Sequence, residues 1–359
     1  MKKFIAVLFM IVIFAFPVSA SEFYDREPTF SPYYAGVLKS SVLNEALREL
    51  NYIRGLIGVP NNVTLNADYN NKAQHGAVLL DAINTLSHTP GRPSDMSQSF
   101  YQLAYDAASH GNLSYAWKSI NGRGMGDMTL IKSLRQCMDD SDSGNISRVG
   151  HRRWLMNPRM KSVGFGLSTR RGYAVTYVIE EFGKSGTLSQ QEYQQYLRWK
   201  SWPIADEFIA WPSSKNPHPL SYFGKDTAWC VVLNGDVFDQ CRNVRVKLTR
   251  QSDGRTWNFG GSSSSGFFTV APNNVAYDEC IIFRPNNMTY NNGDAFTVEV
   301  TGLTRRNGRT GSISYSVKFT GTSSGAKQTS SFTPIRLPQP PKEDIQNIRK
   351  SSRKRRVVR

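Results

Sequence analysis

The feature that most restricts the fold is a change of hydrophobic period along the chain. In the first half apolar residues recur every three or four positions: Leu43, Leu47, Leu50 and Ile53, then Leu65, Tyr69, Ala73, Ala77 and Leu80, then Met128, Ile131, Leu134 and Cys137. That spacing places each set on one helix face. It predicts a helix that begins at Ser41 as N-cap, a second over 66–86, a third over 97–109 and a fourth over 125–138. From Lys225 the period becomes two, in Cys230–Leu233, Val244–Leu248, Cys280–Phe283, Phe296–Val300 and Ile313–Phe319, with turn clusters such as Asn291-Asn292-Gly293-Asp294 between them. Several short alternating runs bounded by turns predict a β-sandwich of immunoglobulin-like type over 225–321.

A chain of 359 residues has room for two units, each with a core. The β-branched and aromatic run Tyr173–Ile179 reads as a strand that closes the first unit, so the expected class is α+β. Residues 21–39 read as an extended N-terminal segment. Residues 185–224 read as a semi-rigid connector, with an amphipathic helix over Leu188–Trp199 followed by Trp202-Pro203 and Trp211-Pro212. Residues 322–359, rich in Ser, Pro, Gln and charge, read as a disordered basic tail.

Lys2 and Lys3 precede an apolar run that ends at Val18-Ser19-Ala20, the pattern of a secretory signal over 1–20. The run is shorter than the ~20 residues of a spanning helix, so the chain is expected to be exported and not membrane-spanning. The formal charge is +16, much of it in Arg349, Lys350, Arg353, Lys354, Arg355, Arg356 and Arg359. For an exported protein this favours anionic envelope polymers or acidic lipids over nucleic acid. Export permits disulfides, and one bridge is expected among Cys230, Cys241 and Cys280. Cys137 reads as a buried small apolar residue.

Candidate chemistry rests on the histidines. His88 lies in Leu86-Ser87-His88-Thr89-Pro90, where Pro90 disfavours helical dihedrals just before it. His151 lies in Val149-Gly150-His151-Arg152-Arg153-Trp154. His110 ends the third helix, and His75, inside the second, reads as structural. There is no His-Glu-x-x-His, phosphate loop or dinucleotide fingerprint.

Leu50-Asn51-Tyr52-Ile53-Arg54, the His88 segment, Asn112-Leu113, Gly150-His151-Arg152, Asn157-Pro158 and Val163-Gly164-Phe165-Gly166 together resemble the CAP superfamily. That superfamily comprises the cysteine-rich secretory, antigen 5 and pathogenesis-related proteins and their bacterial relatives. The resemblance implies a three-layer α-β-α sandwich over 40–184, with His88 and His151 sharing a pocket. Where the family carries a pocket glutamate this chain has Gly111, with His110 beside it. A second family acidic residue lies upstream of the second histidine, so Asp139, Asp140 or Asp142 is expected to face the pocket.

Two neutral imidazoles are ligands for a divalent metal, zinc above all, so His88 and His151 are candidate metal ligands and His110 a further binding residue. The missing glutamate and the lack of an obvious nucleophile favour a binding groove for a lipid, peptide or glycan. The alternative is an extracellular peptidase or esterase, metal-dependent or using the histidines as acid and base.

Overall fold

The computed structural model describes residues 21–121, 123–178, 201–261, 264–273, 276 and 278–321. The expected signal over 1–20, the helix over 188–199 and the tail over 322–359 lie outside the described residues.

Four short strands open the fold: β1 (Tyr24–Arg26), β2 (Thr29–Phe30), β3 (Tyr33–Tyr34) and β4 (Val37–Leu38). β1 pairs with β4, and the buried Tyr24 hydroxyl donates to Leu167 O at 2.8 Å, fastening this segment to the next layer. Helix α1 (Ser40–Leu56) follows, with Leu50 and Ile53 fully buried. Its N-cap is Lys39, not Ser41, because the Lys39 amide is already bound to Phe23 O and the helix starts at the next residue.

After β5 (Thr64–Leu65) comes α2 (Ala67–Ile83), capped by the Asn66 side chain on the amides of Asp68 and Tyr69. It ends before residue 86 because Asn84 turns left-handed at φ 53°. Helix α3 (Gln98–His110) is capped by Ser97 and runs into β6 (Gly111–Tyr115). The helix expected over 125–138 starts late: β7 (Trp117–Ile120) pairs with β8 (Arg123–Gly126), and α4 (Leu130–Asp139) begins only after the Thr129 cap. Met125 is therefore a hairpin residue. Helix α5 (Gly150–Met156), β9 (Ser162–Ser168) and β10 (Tyr173–Tyr177) complete this half.

Its central sheet has the order β5-β9-β10-β6. One face packs on α2, where Val175 meets Ala73 and Ala77. Gly164 and Gly166 make this approach possible, since a Cβ at either would lie within 2.2 Å of the backbone of Tyr69 or Ala73. The other face carries Val163, Phe165, Leu167 and Ala174 toward α1, α4 and α5. Helices thus cover both faces.

The second half holds two sheets. The first has the order β11-β13-β17-β16 and contains β11 (Phe208–Trp211), β13 (Trp229–Leu233), β16 (Gly266–Ala271) and β17 (Cys280–Pro285). The second has the order β12-β19-β18-β14-β15 and contains β12 (His218–Pro219), β14 (Arg245–Arg250), β15 (Thr256–Phe259), β18 (Ala295–Thr304) and β19 (Thr310–Thr320). β11 and β12 lie upstream of Lys225, so part of the stretch read as a connector is built into the sheets. Trp229, Phe283, Phe296 and Phe319 fill the interior, and Trp229 Nε1 donates to Tyr290 Oη at 2.8 Å. The halves share a core, in which Leu50, Leu134 and Met156 belong to the same cluster as Trp211 and Trp229. No described helix is long and apolar enough to cross a membrane.

The expected disulfide is not formed: Cys137, Cys230, Cys241 and Cys280 are free and buried. Cys230 faces Ile282 and Cys280 faces Val232, two register positions apart on adjacent strands. Their thiols meet as a hydrogen-bonded pair without a bridge. Cys137 is the buried small residue expected, its thiol pushed up to about 12 by burial.

Candidate functional site

The turn after α2 delivers His88 to the C-terminal end of α3. Its Nδ1 bonds Ala108 O at 2.7 Å, so Nδ1 carries a proton and Nε2 is the acceptor in the neutral ring. Burial lowers its pKa, with the positive charges of His151 and Arg148 adding to the effect.

His151 sits in the first turn of α5. Its Nδ1 lies 2.8 Å from Asp140 Oδ1, with the carboxylate 1% and the imidazole 16% exposed. Burial alone would disfavour the charged ring, but the charge and hydrogen bond of Asp140, helped by Asp142, override it and raise the pKa. The two histidines are thus biased apart, His88 toward neutral and His151 toward cation. Neither Nε2 has a hydrogen-bond partner among the described residues.

Two unusual backbone positions create this geometry. Asp140 ends α4 in a left-handed conformation at φ 40°, turning its carboxylate toward α5. Val149, just before α5, is also left-handed at φ 40°, a strained state for a β-branched residue and one that concentrates at functional sites. Asn112 Nδ2 donates to His151 O at 2.9 Å and ties the site to β6. The Arg152 amide reaches Asp140 Oδ2 at 3.3 Å.

Of the three candidate aspartates it is Asp140 that meets the histidine. Asp139 Oδ1 accepts from Thr227 Oγ1 at 2.6 Å. Asp142 accepts from the Gly144 amide and Asn145 Nδ2, each at 2.9 Å, closing its own turn.

His110 is not brought to this pair. Its Nδ1 faces Asp106 O at 2.8 Å and Asp106 Oδ1 at 3.0 Å, and its ring stacks on Tyr177 with centroids 6.0 Å apart. Lys72 reaches the same carboxylate at 3.1 Å. His110 therefore belongs to a polar cluster between α2, α3 and β10, and no described contact joins it to His88 or His151. Gly111 is not an empty slot either. A Cβ there would lie 2.6 Å from Ala107 O and 2.8 Å from Val175 Cγ1, so the seam between α3 and β10 occupies that space.

Two Nε2 atoms supply half a tetrahedral set, both Asp140 oxygens are engaged, and among the described residues no group of three or more His, Cys, Asp or Glu converges on a common point. The arrangement offers two Nε2 atoms, one on a ring biased toward the cation and one on a ring biased toward neutral, beside a rigid wall.

The wall comes from Arg152, which is fully buried. It donates to Met138 O at 2.6 Å, Ala228 O at 2.7 Å and Ser141 Oγ at 3.2 Å, and also to Asp139 O. Thr227, Ala228 and Ser141 have no sequence signal, because their role arises where the two halves meet.

Comparison with curated proteins gives no match. The model of the family described as CAP, Cysteine-rich secretory protein family, matches residues 47–182, a span that contains His88, Asp140 and His151 and excludes both sheets of the second half. Residues 47–182 are thus a region of the CAP superfamily.

Proposed function

We propose that this is an exported binding protein whose His88 and His151 line a groove for a lipid, peptide or glycan at or near the cell envelope. The observation that carries the reading is the matched commitment of the two rings: each Nδ1 is bound to a protein acceptor, and each Nε2 lacks a partner among the described residues. A ring biased toward the cation beside one biased toward neutral suits a ligand head that carries negative charge next to a hydroxyl. On this reading the second half is an immunoglobulin-like sandwich that fixes the groove to a surface or partner. The basic residues over 349–359 add long-range attraction to anionic envelope polymers or acidic lipids. Zinc enters as a guest of the two Nε2 atoms, with ligand or solvent oxygens completing its set.

The test is a panel of lipid vesicles, soluble glycans and peptides, followed by imidazole resonances. The expected result is a ligand that shifts both His88 and His151 and binds His88→Ala and His151→Ala about tenfold more weakly or worse. Equal binding by both variants removes the groove from the reading.

The opposite bias of the two imidazoles favours one second reading, an extracellular peptidase or esterase with His88 as general base and His151 as general acid. With the Cys137 thiol held protonated, water is the nucleophile on that reading. Turnover of an ester or peptide that is lost in His88→Ala, while ligand affinity persists, would select it.

A further inference from the structure

The turn that presents Asp140 to His151 is gripped from the other half of the molecule. On one side of Asp140, Asp139 Oδ1 accepts from Thr227 Oγ1 at 2.6 Å. On the other side, Ser141 Oγ accepts the Ala228 amide at 2.8 Å, and Ser141 O accepts from Arg284 Nη1 at 3.3 Å. Arg284 Nη1 also bonds Asp226 O at 3.0 Å, so strand β17 and the loop before β13 hold the turn as one body. Thr227 and Ala228 are buried, and the next residue, Trp229, pairs with Phe283 inside the sheet. The left-handed Asp140 has a rigid clamp at each neighbour.

We infer that the second half is a component of the histidine site: Thr227, Ala228 and Arg284 are positioning residues that hold the Asp139–Ser141 turn so that the Asp140 carboxylate meets His151 Nδ1. This deepens the groove reading, since it rests on His151 as a working residue of the groove, but its test needs no ligand. A ligand screen that fails leaves the readout below untouched.

The groups that act on His151 are Asp140 and Asp142 on the acidic side, with Arg148 and His88 on the basic side. Thr227 and Arg284 reach His151 only through the turn, so their removal reports on positioning.

The experiment follows the Nδ1 proton of His151 by NMR in the full chain at one fixed pH, measuring its exchange with solvent. In Thr227→Val and Arg284→Met the exchange is expected to accelerate about tenfold or more, as befits loss of a hydrogen bond to a charged group. Thr227→Ser, which keeps the hydroxyl, should restore the slow rate. Ile313→Val trims the core of the second half away from the turn, and should lower the melting temperature without changing the exchange. Wild-type exchange in both Thr227→Val and Arg284→Met overturns the inference. So does equal acceleration in Ile313→Val, which would reveal general loosening. Arg284 is only partly buried, so if Thr227→Val does not fold, Arg284→Met and Ile313→Val carry the decision.

Discussion

His218 illustrates how a single buried side chain sets a pH dependence. Its Nδ1 accepts the Ser213 amide at 3.1 Å, and its ring lies edge-on to Trp211, Phe223 and Phe319 at centroid distances of 4.3, 5.7 and 5.9 Å. Burial, with the charge of Arg152 adding, pushes its pKa down to about 3 from the ordinary 6.5. Below the ordinary value the unfolded chain takes up a proton that the folded one refuses. Stability therefore falls as pH drops from about 6.5 toward 3, by at most ~1.4 kcal/mol per pH unit from this group. His151 has the opposite sign: its contribution is complete below the ordinary value and is lost as pH rises through its raised folded pKa. In His218→Asn the amide oxygen keeps the Ser213 bond, and the acid-side slope should flatten. Urea midpoints at pH 7 and pH 4 check this, and an unchanged slope would assign the acid sensitivity elsewhere. His88 and His151 stood out in the sequence because turn residues surround them, and proline follows His88. Asp140 did not, since three aspartates in four positions differ only in what the folded chain brings to them. No described contact joins His110 to the pair, since it lies two residues beyond Ala108, whose carbonyl holds His88, and about 200° around the helix.

At the level of elements, small residues decide which surfaces can approach. The Gly164-x-Gly166 spacing was legible as a strand, but its purpose becomes visible only with α2 lying on it. A Cβ at Gly166 would be 2.1 Å from Ala73 O, a clash with backbone that no rotamer relieves. Gly166→Ala should thus lift α2 from the sheet and destabilise by about 3 kcal/mol, the upper part of the range for overpacked cores. Gly91→Ala, with nothing within 4 Å, should stay within about 0.5 kcal/mol. The same reasoning bears on Gly111: restoring the family glutamate there should lower the melting temperature and leave the groove without a new carboxylate. Thermal melts of the three variants test the set, and a fully stable Gly111→Glu would show that the seam between α3 and β10 opens more readily than its contacts imply. Asn66 and Ser97 stand at the starts of the expected second and third helices and cap them, since a cap acts within three positions, whereas Thr129 was missed because the helical period was carried back to residue 125. The last two residues of the β7–β8 hairpin, Met125 and Gly126, were read as helix because Met125 and Met128 keep the helical spacing.

Across the whole molecule, the two hydrophobic periods announced two units, but the core that joins them was not legible. Its apolar contacts are joined by buried arginines, which in sequence look like surface residues. Arg152 crosses to Ala228, Arg153 to Pro272 and Asp278, and Arg159 to Asp278, all from the segment that also carries His151. The Arg159–Asp278 pair is the sharpest case, with bonds of 2.6 and 3.1 Å and side chains 3% and 2% exposed. A pair buried this deeply gives little net stability relative to an apolar replacement, yet breaking it leaves charge in a place water cannot reach. Asp278→Asn should therefore destabilise by about 3–5 kcal/mol, the usual range for removing one partner of a buried pair. The combined Arg159→Met, Asp278→Leu variant should recover much of that loss. Because the halves share a core, wild-type unfolding is expected to give one transition by near-ultraviolet dichroism and by tryptophan fluorescence. Asp278→Asn should move both signals together. Two separated transitions in the wild-type protein would mean that the halves fold independently and that their interface adds little to either.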